Sequence, residues 1–212
     1  MYSKFENLDE DKKKRILDAC VEEFSRNGYT NASTNNIVRN AGISKGILFH
    51  YFGNKKSLYL YTLDYTVGFL TELLYQRMTD LPLEYFERIT KIGMLKVKMA
   101  CEYPVEYKFV VDAVAHPAEE VKEEVRNRLE RMYTENLPLL HANVDLSRFK
   151  KGIDTKKAME LIEATLEGLS GNYMKRFRDM PVDVILSQME QMAQEINAYI
   201  RMLKSGVYES EE

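Results

Sequence analysis

The chain alternates apolar and polar positions with a helical period almost from end to end. Between Asp9 or Asp11 and Gly28, the residues Ile16, Leu17, Cys20, Val21 and Phe24 recur at spacings of one, three and four. This predicts a helix with one inward stripe, stopped by Gly28. Residues 34–41 repeat the pattern over a short span through Ile37, Val38 and Ala41, with Ser33 or Thr34 as cap. Gly42 follows as the residue best able to take positive φ, Ile43 offers an apolar plug, and Ser44 can cap a second short helix ending near Phe52. Gly53 and Asn54 break that helix. A long one follows over about 55–78, with Leu58, Tyr61, Tyr65, Phe69 and Leu73 on more than one side. Prolines punctuate the remainder. Pro82 precedes a helix at about 84–102, Pro104 opens one ending near His116, and Pro138 ends or kinks an amphipathic helix from 118 to about 137. Residues 139–153 read as a loop, Asp154 or Thr155 caps a helix to about 178, and the last helix starts near Pro181 and fades at Ser205-Gly206. No strand pattern, Gly/Ser linker or internal repeat interrupts this reading. The expectation is an all-α fold of about nine helices.

The two short helices and the tight turn between them have the layout of a helix-turn-helix, whose second helix enters the major groove of DNA. At about 100° per residue, Leu48, Tyr51 and Phe52 of that second helix share one face, assigned to the core. Lys45, Gly46, Phe49 and His50 share the opposite face, with Ile47 on the flank. An aromatic beside a glycine, a lysine and a histidine makes little sense as a solvated face. Against a duplex, Gly46 allows close backbone approach, Lys45 reaches phosphate or a guanine edge, and Ile47 meets a thymine methyl. Residues 1–10 are a polar lead-in, either an arm near DNA or simply frayed.

Composition supports this reading. The 212 residues carry a net charge of −3, yet residues 1–56 hold ten Lys/Arg against seven Asp/Glu. No acid occurs between Glu23 and Asp64, while Arg26, Arg39, Lys45, Lys55 and Lys56 fall inside that window. An acid-free stretch centred on the motif is the electrostatic footprint expected for phosphate. Hydrophobic content of 45% with 30% charged residues is that of a soluble globular protein. No apolar run approaches the ~18–20 residues of a membrane helix, so no membrane partner is expected. Cys20 and Cys101 are isolated in apolar patterns, as buried free thiols in a reducing compartment would be, which points to the cytoplasm.

These residues carry a resemblance. The run from Ala41 to Phe52, followed by Asn54-Lys-Lys-Ser-Leu58 and preceded by residues 16–24 and Asn27-Gly-Tyr29, resembles the signature of TetR-type transcriptional regulators. The resemblance covers the first quarter of the chain. It implies a homodimeric, all-helical repressor with a helix-turn-helix DNA-binding domain at 1–57 and a helical ligand-binding and dimerisation domain at 58–212. By matching position, it places contacts to a double-stranded operator on Thr34, Asn35, Ser44, Lys45, Gly46, Ile47, Phe49, His50 and Lys55. Two departures stand out. Phe49 occupies a position where a tyrosine is usual, and Ile47 one where a small polar residue is common, so readout there should be apolar.

An enzyme is not signalled. His50, His116 and His141 are scattered, no histidine has a second at i+4, and no cysteine pair or phosphate loop occurs, so neither a catalytic residue, a metal site nor a cofactor is expected. Met94, Met99, Tyr103, Tyr107, Phe109, Met132, Tyr133, Asn172 and Tyr173 are ordinary packing residues by their spacing. The resemblance alone makes them candidates to line a pocket for a small, mainly apolar effector. The last two long helices carry apolar stripes that serve either the chain's own core or a dimer. The resemblance favours a four-helix dimer interface drawing on Leu166, Gly168, Gly171, Ile185, Met189, Met192 and Ile196. The alternative function is a helical protein–protein interaction module whose motif only looks like a DNA reader.

Overall fold

A computed structural model describes residues 2–177, 180 and 182–209 of the chain. Ten α-helices lie among them: α1 (Ser3–Glu6), α2 (Glu10–Asn31), α3 (Thr34–Ala41), α4 (Lys45–Phe52), α5 (Lys55–Arg77), α6 (Tyr85–Glu102), α7 (Pro104–Ala115), α8 (Lys122–His141), α9 (Thr155–Phe177) and α10 (Val182–Val207). A 3-10 turn at Glu119–Val121 leads into α8. The described residues contain no strand, only two isolated bridges. The all-α expectation therefore holds. The chain packs as two compact units, Met1–Arg77 with Glu102–Leu140, and Met78–Cys101 with His141–Glu212.

In the first unit the inward stripe of α2 is buried as its spacing requires, and Phe24 sits at the centre. Its ring meets Tyr59 edge-on at 4.9 Å and stacks on Phe109 at 6.0 Å. Ile37 and Ala41 of α3, Leu48 and Phe52 of α4, and Leu58 and Leu63 of α5 join the same core, as do Phe109 and Ala113 of α7, Val121 of the 3-10 turn and Val125 of α8. The central helix α5 is buried on several sides without an orphaned polar atom. Thr62 and Thr66 donate their hydroxyls to the carbonyls of Leu58 and Thr62, each at 2.8 Å. Burial pushes the Cys20 thiol up to about 12, so it acts as a small neutral apolar filler. Cys101 is half-buried, less enclosed than its apolar neighbours in sequence suggest.

Three sequence expectations need correction. The described part of the polar lead-in, from Tyr2 onward, is not frayed: α1 is a formed turn, and Phe5 is fully buried. Gly28 interrupts its helix rather than ending it, taking φ 63° and ψ −175° before helical bonding resumes to Asn31. Pro138 does not end α8, which runs one further turn to His141. A proline this close to a helix end puts few backbone bonds at stake, and the His141 ring is held by the Glu163 carboxylate.

The second unit is stitched around Glu84, which the helical pattern did not single out. One carboxylate oxygen accepts the Glu87 amide at 2.6 Å and so caps α6, while the other accepts the Tyr208 hydroxyl at 2.6 Å. Lys204 lies 3.7 Å away. The Tyr208 ring fills the space between Phe86 and Phe149, with centroids at 5.1 and 5.0 Å. Arg88 is buried and donates to the carbonyls of Pro82 at 2.7 Å and Ala142 at 2.5 Å, tying two loops to one helix. Burial pushes the Glu84 carboxyl up, but the bonds from Tyr208 and the backbone, with the charge of Lys204, outweigh it and hold it below its ordinary value of 4.5. A depressed carboxylate contributes stability that is present above its unfolded value and lost as pH falls through the folded one. Tyr208→Phe should therefore lower the stability of the intact chain by about 1–3 kcal/mol at pH 7, as for a hydrogen bond to a charged group. Urea denaturation should show that difference shrinking below about pH 4.5; a difference independent of pH would assign the loss to packing instead.

Candidate nucleic-acid interface

The geometry of the two short helices follows from their caps. The Ser33 hydroxyl accepts the Asn36 amide at 3.4 Å, and the Ser44 hydroxyl accepts the Ile47 amide at 3.3 Å, so each serine starts one helix. Gly42 ends α3 in the left-handed region at φ 66°, ψ 38°, and the Ile43 amide donates to the Val38 carbonyl at 3.0 Å. That closure turns the chain sharply enough for α4 to begin two residues later. Two side chains of α2 fasten the motif. Arg15 donates to the Ala41 carbonyl at 3.0 Å, at the helix end where cations are favoured. The buried Glu23 carboxylate accepts the Ser33 amide at 2.7 Å and the Asn27 side-chain amide at 2.9 Å. Sequence reasoning missed Glu23, because an acid beside an apolar stripe reads as a solvated flank. Its backbone partner Ser33, ten residues away, is visible only in three dimensions.

On α4, Leu48 and Phe52 are buried, while Ser44, Lys45, Gly46, Ile47 and His50 are exposed and Phe49 is half-buried. The Lys45 ammonium lies over the Phe49 ring at 5.9 Å, and Ile47, 39% exposed, keeps its apolar tip in solvent. On α3, Asn35 is exposed and Thr34 half-buried. Lys55 differs from the rest of the set. Its ammonium donates to the Thr30 carbonyl at 3.0 Å and sits 5.2 Å over the Tyr29 ring, so in this state it closes the end of α2. The neighbouring Lys56 pairs with Glu124 of α8 at 2.5 Å. The open face of α4 thus presents one ammonium, one imidazole, an aliphatic tip and a glycine, with no acid beside them in the sequence.

Residues 16–62 match the family described as bacterial regulatory proteins, tetR family, and residues 83–208 match tetracyclin repressor-like C-terminal domains. This chain belongs to the TetR family. It is a ligand-responsive, DNA-binding transcriptional regulator. The fatty acid metabolism regulator protein of Bacillus subtilis (strain 168) is 21% identical over 204 residues, which cover 92% of this chain and 94% of that protein. A TetR family regulator from Chloroflexus aurantiacus has the same fold, with a TM-score of 0.62 at 22% identity over 98% of both chains. The regulator FadR from Bacillus subtilis, solved in complex with stearoyl-CoA, gives 0.57 at 17% identity over 92% of this chain and 99% of that one.

In this TetR-family chain, the pocket candidates are divided between the two units. In the first, Phe109 is committed to the core beside Phe24, Tyr103 stands edge-on to Phe69 at 5.1 Å, and Tyr107 and Met132 are half-buried. The side chain of Tyr133 lies outside the described residues. In the second, Met99 is buried, Met94 is 48% exposed and Asn172 is exposed, while the Tyr173 hydroxyl donates to Glu195 at 2.5 Å. A cleft lined by Tyr173, Arg176, Gln188, Gln191, Met192 and Glu195 is too shallow to hold a water molecule.

Of the interface candidates, Leu166, Met192 and Ile196 are drawn toward the interior of the second unit, where Leu166 and Ile196 pack against the core containing Ile162 and Ile200. Gly168 is exposed and Gly171 half-buried, and the side chains of Ile185 and Met189 lie outside the described residues. Three exposed apolar residues on these helices escaped the stripe-based reading: Val184 and, more open, Leu161, 62% exposed, and Met202, 68% exposed.

Gly46 offers a direct test of the face. A Cβ there would meet only the Ser44 hydroxyl, 3.9 Å away, so nothing in the protein's own packing requires glycine. Gly46→Ala should leave thermal stability unchanged or raise it by up to about 1 kcal/mol. Its affinity for DNA, measured by fluorescence anisotropy, should fall about tenfold, equivalent to ~1.4 kcal/mol. Unchanged affinity would place the backbone of α4 away from the duplex.

Proposed function

We propose that this regulator is a homodimeric repressor that reads a two-fold symmetric operator with one α4 per major groove and leaves it on binding a mainly apolar effector. The observation carrying the DNA half is the open face of α4. It combines a phosphate-seeking ammonium, an aliphatic tip suited to a thymine methyl and a glycine that its own fold does not need. The division of the chain at 57/58 into DNA-binding and effector-binding parts is part of the same proposal, as are the operator contacts on Thr34, Asn35 and Lys55. For Lys55, DNA must replace the Thr30 carbonyl as the partner of the ammonium.

The dimer is supported by surface the single chain leaves uncovered. Leu161, Ala164 and Gly168 recur at helical spacing along the exposed side of α9, and Tyr199 and Met202 along α10. Among the described residues a Cβ at Gly168 would meet nothing within 4 Å, so a glycine there fits a close neighbour that these residues do not supply. The interface proposed from sequence therefore shifts toward Leu161 and Met202, while Leu166 and Ile196 hold the helices to their own core.

For the effector, the full-length likeness to a fatty acid metabolism regulator, and to a relative solved with stearoyl-CoA, supports a long-chain acyl thioester as the first class to test. Residues 83–208 are the part of the chain proposed to take it. Moving the bound population from 99:1 to 1:99 needs about 5.5 kcal/mol of differential affinity between the two states. Reciprocity requires the operator to weaken effector binding by the same factor.

Sequencing DNA fragments retained by the purified protein should yield a palindrome with half-sites about one helical turn apart. Stearoyl-CoA should release that operator, and Leu161→Glu should give a monomer by analytical ultracentrifugation with weakened operator binding. An asymmetric single half-site would contradict the symmetric reading. A Leu161→Glu dimer that keeps full affinity would remove α9 from the interface.

A further inference from the structure

The recognition helix has an anchor that lies outside the family match, which begins at residue 16. Near the start of the chain Ser3–Glu6 form α1, and this single turn is docked on the end of α4. The Phe5 ring, fully buried, lies 4.7 Å from that of Phe52, 5.7 Å from that of Tyr51 and 5.4 Å from that of Tyr61. Tyr2 adds contacts to Phe52 at 5.9 Å and to Tyr61 at 4.8 Å. Polar bonds fasten the turn at its other end. The Tyr61 hydroxyl donates to the Glu6 carboxylate, and the Lys13 ammonium donates to the Glu6 carbonyl at 3.1 Å. Five aromatic rings from three places in the chain therefore meet where the recognition helix ends and α5 begins.

α4 has little support of its own, and one of its two buried residues lies at that junction. Of its eight residues only Leu48 and Phe52 are buried. The chain leaves through Gly53 at φ 75°, ψ −56°, a conformation that stiffens nothing by itself. The tilt and roll of α4 then depend on what packs against Tyr51 and Phe52, and Phe5 contacts both rings.

We propose that Tyr2–Leu8 is a positioning element for DNA reading, through which Phe5 fixes the attitude of α4 and sets the discrimination between operator and other DNA. This rests on the DNA-binding reading above. The physical basis is a difference in tolerance. Contacts to base edges must be held within about 0.5 Å and 10–20°. A cation near phosphate acts through a screened field that changes little over such displacements. Loosening the anchor should therefore cost specific binding and spare the non-specific kind.

The test measures affinity for the selected operator and for a random-sequence duplex of equal length, each over a range of salt, using the full chain. The wild-type comparison comes first and examines the DNA-binding reading itself; equal affinity for both duplexes overturns that reading and this one together. With discrimination established, Phe5→Ala should lose about tenfold or more on the operator, as when one good base contact is lost. Its affinity for random DNA and its salt slope should stay as in the wild type. Phe5→Leu, which refills most of the volume, should recover the larger part of the loss. Tyr2→Ala removes a half-buried ring and should give the same pattern to a smaller degree, even if Phe5→Ala fails to fold. Two results overturn the proposal. One is undiminished discrimination in the folded variants. The other is parallel loss on both duplexes with a shallower salt slope, which would make the segment a phosphate-contacting arm through Lys4.

Discussion

The DNA-reading end of this protein depends on the burial of two side chains, Leu48 and Phe52, from an eight-residue helix. An isolated helix of two turns is not stable in water, since nucleation outweighs the few bonds that propagation adds. Burying a leucine and a phenylalanine contributes about 1.5–3 kcal/mol each, enough to offset that deficit when caps stand at both ends. Ser44 and Gly53 supply the caps, and α3 and α5, in the core they share with α2, supply the surface to bury against. Tyr51 packs on Phe5, and five of the eight residues are then left for other work. The face that reads DNA exists because so little of α4 is committed to the core.

This arrangement also shapes how a signal can reach the DNA. The long helix α5 follows the motif with no flexible linker between them and shares the core of the recognition helix. Within the first unit the structure adds two others. Phe109 and Ala113 of α7 enter the same core as Phe24, and α8 is fastened through Val121 and Val125, through the Lys56–Glu124 pair at 2.5 Å and through the Arg128–Asp64 pair at 2.7 Å. The two exposed ion pairs contribute little to stability. The shared apolar core couples α7 and α8 to the recognition helix more firmly than charge does, because a packed core shifts as a body.

The sequence made the motif legible because its signals are local. Ser33, Ser44, Gly42 and Gly53 act within four residues of themselves, and the Leu48/Phe52 face follows from helical period alone. What it concealed were partners distant along the chain. Phe5 stands in a polar segment too short to show a period, and only its contacts with Tyr51, Phe52 and Tyr61 give it a place. Glu23 and Arg88 are charged residues whose burial is made tolerable by backbone groups that sequence cannot bring together. On α9 the difficulty was different. Ile162 and Leu166 make one apolar side and Leu161 another, so the pattern announces two contacts without saying which belongs to the chain's own core.

The central claim is that α3 and the exposed side of α4 form the surface that meets DNA. Amide hydrogen exchange followed by mass spectrometry, with and without the selected operator, tests it most directly. The account predicts slowed exchange in peptides spanning residues 33–56, above all 44–50, at operator concentrations where random DNA gives weaker protection. Protection confined to residues 155–207, or none in 44–50 while the operator is bound, would contradict it.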